Sequence, residues 1–279
     1  MKQFKKILAC ILTLIAIGSL IAAVVITIFH KKEDKDAQDA IRDTALSQSA
    51  TVTPQPQNSE PPQATEIPDA EPVTPTPEPT ATPIPAIKNP YEDYYLANSD
   101  MAGWLMVPGT VIDYPIMWTP EDENFYLYRD FKKRDNNNGC LILDTDSSLD
   151  PLTTNLIIHG HNMTGGTMFR ILHDYPKKAF RDEHPIVKLY IGNEVREYEV
   201  FAVFYDKVYY QTDTCFKFYE FTEIDTEERF NEGISYFKSH SVYDTGITPE
   251  YGDRLLTLVT CSYHTENGRI VVVAREIAK

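Results

Sequence analysis

Residues 254–277 read RLLTLVTCSYHTENGRIVVVAREI, two β-branched apolar runs separated by a short polar stretch. Each run is short and rich in Val, Ile, Leu and Thr, the composition of a buried strand, so the segment predicts a hairpin. Cys261 stands where the first run meets the polar loop, and Arg269 opens the second. A structural cysteine would normally sit inside a run. The hairpin instead holds a thiol and a guanidinium side by side at a strand end.

The same signature recurs earlier in the chain. "CLILD" (140–144), "NLIIH" (155–159), "VKLYI" (187–191) and "EYEVFAVFY" (197–205) read as strands, and "GWLMVPGTVIDYPIM" reads as strand, turn, strand. With residues 255–260 and 269–276 this predicts a mainly β fold, closed or nearly closed. One helix precedes the strands and one interrupts them. Asn89 and Pro90 are expected to cap a short helix through "YEDYYLAN". In "DTEERFNEGISYF", Asp225 and Glu228 form a capping-box pattern, with Phe230, Ile234 and Phe237 at helical spacing.

Upstream of the strands the composition changes twice. Residues 7–29 are uncharged and apolar, long enough at ~1.5 Å per residue to cross a ~30 Å hydrocarbon core. A cleaved signal peptide is the competing reading, but its apolar region is usually only ~7–15 residues, and here the run ends in "IFHKKEDKD". The expected order is therefore a short cytoplasmic N-terminus (1–6), a membrane anchor (7–29), a proline-rich linker (30–90) and a catalytic domain (91–279) outside the cell. Twelve of the 19 prolines fall in residues 51–90, where extended chain at ~3.1 Å per residue could reach up to ~120 Å. From residue 91 onward, 18 Lys and Arg face 31 Asp and Glu, a net charge of −13 that repels phosphate backbones and argues against nucleic acid as a partner.

Nucleophilic chemistry needs a proton carrier near the thiol. Of six histidines in this region, His173, His184, His240 and His264 lie in polar surroundings and read as surface groups or satisfied hydrogen bonds. His159 and His161 differ, because "NLIIHGHNMTGGTMF" ends a strand at His159, offers a sharp exit at Gly160 and puts His161 at the rim. Two histidines so close also raise a metal reading. No further Cys, His or carboxylate stands at a ligand spacing, and no metal or cofactor is expected. Arg275 is a rival to Arg269 on the same strand face, but far from the cysteine loop. Cys140 and Cys215 could be bridged or free.

"LTLVTC" followed by "GRIVVVARE", with "GHNMTGGTMF", resembles the sortases, cysteine transpeptidases of bacterial cell surfaces, and specifically class B. "LANSDMAGWLMVPGTVIDYPIM", "NFYLYRDFKKRDNNNGCLILD" and "HPIVKLYIGNEVREYEVFAVFYDKVY" extend the likeness over residues 91–277. The resemblance implies an eight-stranded barrel with an added N-terminal helix and a helix before the late strands. It also implies roles: Cys261 as nucleophile, His161 as general acid, Arg269 as oxyanion stabiliser, with His159, where relatives often have tyrosine, as a neighbour. The implied partners are secreted surface proteins or pilins bearing a sorting motif, and an amine acceptor from peptidoglycan or a pilin lysine. Two other readings remain from the residues, a cysteine hydrolase and a non-catalytic envelope module.

Overall fold

A computed structural model describes residues 89–277. The apolar run 7–29 and the proline-rich segment lie outside the described residues.

The eight strands among the described residues are β1 (Met101–Met106), β2 (Asp113–Met117), β3 (Leu141–Leu143), β4 (Asn155–His159), β5 (Ile186–Ile191), β6 (Glu194–Lys207), β7 (Leu255–Cys261) and β8 (Gly268–Glu276). They close a barrel in the order β1-β2-β3-β4-β7-β8-β6-β5. Two neighbours, β2 with β3 and β4 with β7, run parallel, and the remaining pairs are antiparallel. Every strand expected from its apolar run is present. Strand β6 is longer than its run and carries a register shift between Val200 and Ala202.

Because strand side chains alternate, one face of β7 and β8 fills the barrel and the other looks outward. Leu256, Leu258, Ile270 and Val272 belong to the interior cluster. Leu255, Val259, Val271 and Val273 lie on the outer face and pack with Phe230, Ile234 and Phe237, all buried. Each of those three side chains contributes about 1.5–3 kcal/mol by leaving water. They belong to the longest of the three α-helices among the described residues, α1 (Glu92–Ala97), α2 (Lys178–Glu183) and α3 (Glu227–His240). Cys261 and Arg269 continue the outward rows of β7 and β8, beyond the ground that α3 covers. That alternation keeps the strand-end thiol out of the core.

Two cap expectations need correction. Helix α3 is capped by Thr226, whose Oγ1 accepts from the Arg229 N–H at 3.3 Å, rather than by Asp225 one residue earlier. Helix α1 starts two residues beyond Pro90. Asn89 is turned away from the cap: its amide donates to the Gly192 carbonyl, and its Oδ1 accepts from the Tyr91 N–H at 2.9 Å. The helix itself packs Tyr91 and Tyr94 around Trp104 on the outer face of β1, with ring centroids 4.2 and 4.7 Å apart.

Candidate active site

Cys261 and Arg269 are cross-strand partners at the end of the β7–β8 ladder. One residue further, the Ser262 N–H donates to the Gly268 carbonyl at 2.9 Å, so the 261/269 pair is of the kind that exchanges no main-chain bonds. Side chains of such pairs lie closest, with Cα atoms about 4.5 Å apart in regular sheet. The thiol is exposed, and the arginine is partly buried. Arg269 Nη1 donates to the carbonyls of Asn267 at 3.2 Å and Gly268 at 3.0 Å, which folds the guanidinium over its own loop. It forms no ion pair among the described residues. Asp206, its partner across β6, spends its oxygens on the Tyr236 hydroxyl at 2.9 Å and the Lys207 N–H at 2.8 Å.

Strand β4 lies on the other side of β7, with His159 opposite Val259. His159 Nε2 donates to Asp144 Oδ2 at 2.9 Å. Gly160 follows, and its glycine character answers to packing more than to a sharp exit: a Cβ there would stand 2.6 Å from Leu141 Cδ2 and 2.8 Å from Phe169 Cδ2. His161 then leaves the strand. Its Nε2 lies 2.8 Å from the Leu127 carbonyl, and since a carbonyl only accepts, that nitrogen carries the hydrogen and Nδ1 is free to exchange a proton. The Tyr128 ring covers the imidazole at a centroid distance of 5.4 Å.

These groups line one cleft of about 490 Å³ on the outer face of β3, β4 and β7. Ile142, His159 and Val259 form its floor. The β2–β3 connection supplies one wall through Glu123, Asn124 and Tyr128, and the connection after β6 supplies the other through Val208, Phe218 and Tyr219. His161, Cys261 and Arg269 all open onto this cleft. The structure thus brings together the three expected residues and their expected neighbour, His159. It leaves Arg275 at the far end of β8, 3.9 Å from Asp253 Oδ2.

Cys140, Cys215 and Cys261 are all free, Cys140 buried and the other two exposed. Burial pushes the Cys140 thiol pKa far up, and the Asp130 charge adds to the effect, so this thiol is held in its unreactive form.

Sequence reasoning missed three contributors. Leu127 acts through its main-chain carbonyl, which no side-chain pattern announces. His173, read as a surface group, places Nε2 3.0 Å from the Cys261 carbonyl, where Asn162 Nδ2 also donates at 3.0 Å. Only the fold-back of the "HNMTGGTMF" loop makes that contact, so no local signal could have shown it.

The family pattern of the sortase domain matches residues 105–277. Sortase B of Listeria monocytogenes is 33% identical over 195 residues, spanning 69% of this chain and 76% of its own. Sortase B of Staphylococcus aureus is 29% identical over 195 residues, spanning 68% of this chain and 76% of its own. Among solved structures, Clostridium perfringens sortase B superposes with a TM-score of 0.59 at 29% identity, covering 67% of this chain and 99% of that one. A substrate complex of Staphylococcus aureus sortase B gives 0.60 at 27% identity, covering 69% and 87%. The family match takes in β2 to β8 and the cleft residues between them, and the chain belongs to the sortase family of cysteine transpeptidases, in its class B.

Proposed function

We propose that this enzyme cleaves a sorting motif near the C-terminus of secreted proteins through a thioester on Cys261 and passes the acyl group to an amine. The observation that carries the reading is the convergence of Cys261, His161 and Arg269 on one open cleft from two adjacent strand ends and a hairpin.

In the proposed sequence the Cys261 thiolate attacks the scissile carbonyl, and the carbonyl electron pair moves onto oxygen. Arg269 donates to that oxyanion with a planar, permanently charged group that exchanges no proton. Collapse expels the amine, which takes a proton from protonated His161 through Nδ1, leaving the thioester and a neutral imidazole. An incoming amine attacks the thioester and returns a proton to His161, and Cys261 leaves as thiolate. Two half-reactions sharing one enzyme-bound intermediate give ping-pong kinetics.

The substrate complex of the Staphylococcus aureus relative supports substrate binding by this domain. The apolar run 7–29, followed by a proline-rich spacer, supports a tether that holds the catalytic domain outside the membrane, where secreted proteins bearing the motif and peptidoglycan or pilin amines meet.

A peptide library incubated with the full chain, with and without triglycine, tests the reading. The expected result is one preferred motif, a Cys261 acyl adduct by mass spectrometry, and triglycine-ligated product. Cleavage that proceeds equally fast with water alone and never yields ligated product would make the enzyme a hydrolase.

A further inference from the structure

In the parallel pairing of β4 with β7, the last main-chain bond is Gly160 N–H to the Val259 carbonyl at 3.1 Å. The next acceptor along β7 on that side is the carbonyl of Cys261, since residues facing β4 alternate with residues facing β8. Strand β4 has already ended. An unpartnered carbonyl at this point would leave the nucleophile's own peptide free to turn.

Two side chains take over the ladder. Asn162 Nδ2 and His173 Nε2 each lie 3.0 Å from the Cys261 oxygen. Both reach it because the loop after His161 closes on itself: the Phe169 N–H donates to the His161 carbonyl at 3.0 Å, and Asn162 bridges to Met168. The chain then enters a 3-10 turn, Phe169–Asp174, which returns His173 to the end of β7. Beside these bonds the Thr260 hydroxyl donates to the Gly160 carbonyl at 2.7 Å. The loop that presents His161 and the strand that presents Cys261 are therefore fastened at the nucleophile's own carbonyl as well as through Thr260 and Gly160.

We propose that His173, acting with Asn162, is a positioning residue for Cys261: the two donors continue the β4–β7 ladder past its end and fix the peptide that aims the thiol into the cleft. This rests on the role proposed above for Cys261. Because the acceptor is a carbonyl, His173 donates from Nε2. Burial of the ring is the main cause holding its pKa below the ordinary imidazole value, so the neutral, Nε2-protonated ring makes the bond at neutral pH. Covalent catalysis is sensitive to small displacements of the attacking atom, and a strand end held on one side only would sample misaligned positions.

The test uses His173→Ala, His173→Gln, Asn162→Ala and the double alanine variant in the full chain. On the peptide that wild type cleaves, His173→Ala should lower kcat about three- to tenfold, the equilibrium equivalent of one net hydrogen bond, with KM within about twofold. Glutamine keeps an amide donor and should restore most of the loss. The double variant should lose more than the product of the singles, because each donor covers for the other on one oxygen. Amide exchange across residues 258–264 reads the clamp without any turnover: it should quicken in His173→Ala and return toward wild type in His173→Gln. A kcat for His173→Ala within twofold of wild type, or a glutamine variant as slow as alanine, overturns the proposal. So does unchanged exchange, even where turnover is lost for other reasons. Full turnover in Cys261→Ala would instead overturn the proposed function.

Discussion

His161 Nε2 donates to the main-chain carbonyl of Leu127 across 34 residues of sequence, at 2.8 Å. That carbonyl is set by Gly139, which lies at φ +57° and whose missing Cβ would stand 2.3 Å from the Leu127 oxygen. Gly139→Ala must therefore both strain the backbone and push the acceptor away from the imidazole. The expected result is a loss of about 1–3 kcal/mol in stability, together with a several-fold lower kcat in the fraction that stays folded. Thermal melts and turnover normalised to alkylatable Cys261 measure the two effects separately.

The two cleft histidines should behave differently. His161→Ala is expected to lower kcat/KM by at least about 10²-fold, the usual scale for a positioned acid–base group. His159→Ala and Asp144→Asn remove one partner each of a pair that borders the cleft, and both should fall well short of that loss. Rates on one peptide decide, and a greater loss at His159 would reverse the assignment.

Cys261→Ala should abolish turnover while leaving the melting temperature close to wild type, since the exposed thiol lies outside the packed rows of β7. Activity within about tenfold of wild type would rule out the nucleophile role. Site-resolved alkylation of the native chain should mark Cys215 and Cys261 and spare Cys140, which reacts only after unfolding.

Lysine at position 269 keeps the charge and loses the planar fork. Arg269→Lys should lower kcat and kcat/KM together by roughly 10²-fold, whereas Arg275→Lys, beside Asp253 at the far end of β8, should stay near wild type. An unchanged kcat for Arg269→Lys, with stability lower by about 1 kcal/mol or less, would reduce Arg269 to a surface charge.

His173 also predicts a pH effect on folding. Its folded pKa is depressed, so the unfolded chain binds the proton more readily. The stability it confers is present above the ordinary imidazole pKa of about 6.5 and is lost as pH falls below that value. Urea midpoints at pH 7.5 and 5.5 should drop less in His173→Gln than in wild type. An equal drop would assign the acid sensitivity to other groups.

The strands were legible because their β-branched runs carry the burial pattern directly, and Phe230, Ile234 and Phe237 revealed α3 in the same way. The caps were less so. Asp225 and Thr226 are adjacent short polar residues, and only the hydrogen bond to the Arg229 N–H distinguishes them. Asn89 looked like a cap because its competing partner, Gly192, is 103 residues away. Within the cleft, Cys261, His161 and Arg269 showed themselves by standing at strand ends, reinforced by the class B resemblance. Leu127 contributes a carbonyl, an atom every residue has, and His173 takes its meaning from a loop closure that periodicity does not encode.

Strand β7 enters between β4 and β8, and Thr260 meets Gly160 across 100 residues of chain. Contacts so distant in sequence form late and slowly, after local hairpins such as β1–β2 and β5–β6 have had time to pair. Until the β7–β8 hairpin docks, β4 and β6 each present an open edge where a strand from another molecule could pair. The segment bearing the reactive sulfur is thus also the stave that completes the cylinder. A chain whose β7–β8 hairpin has not docked lacks Val259, Cys261 and Arg269 from the cleft, so acyl transfer switches on only with barrel closure, and a slow step there would lengthen both the inactive period and the exposure to aggregation.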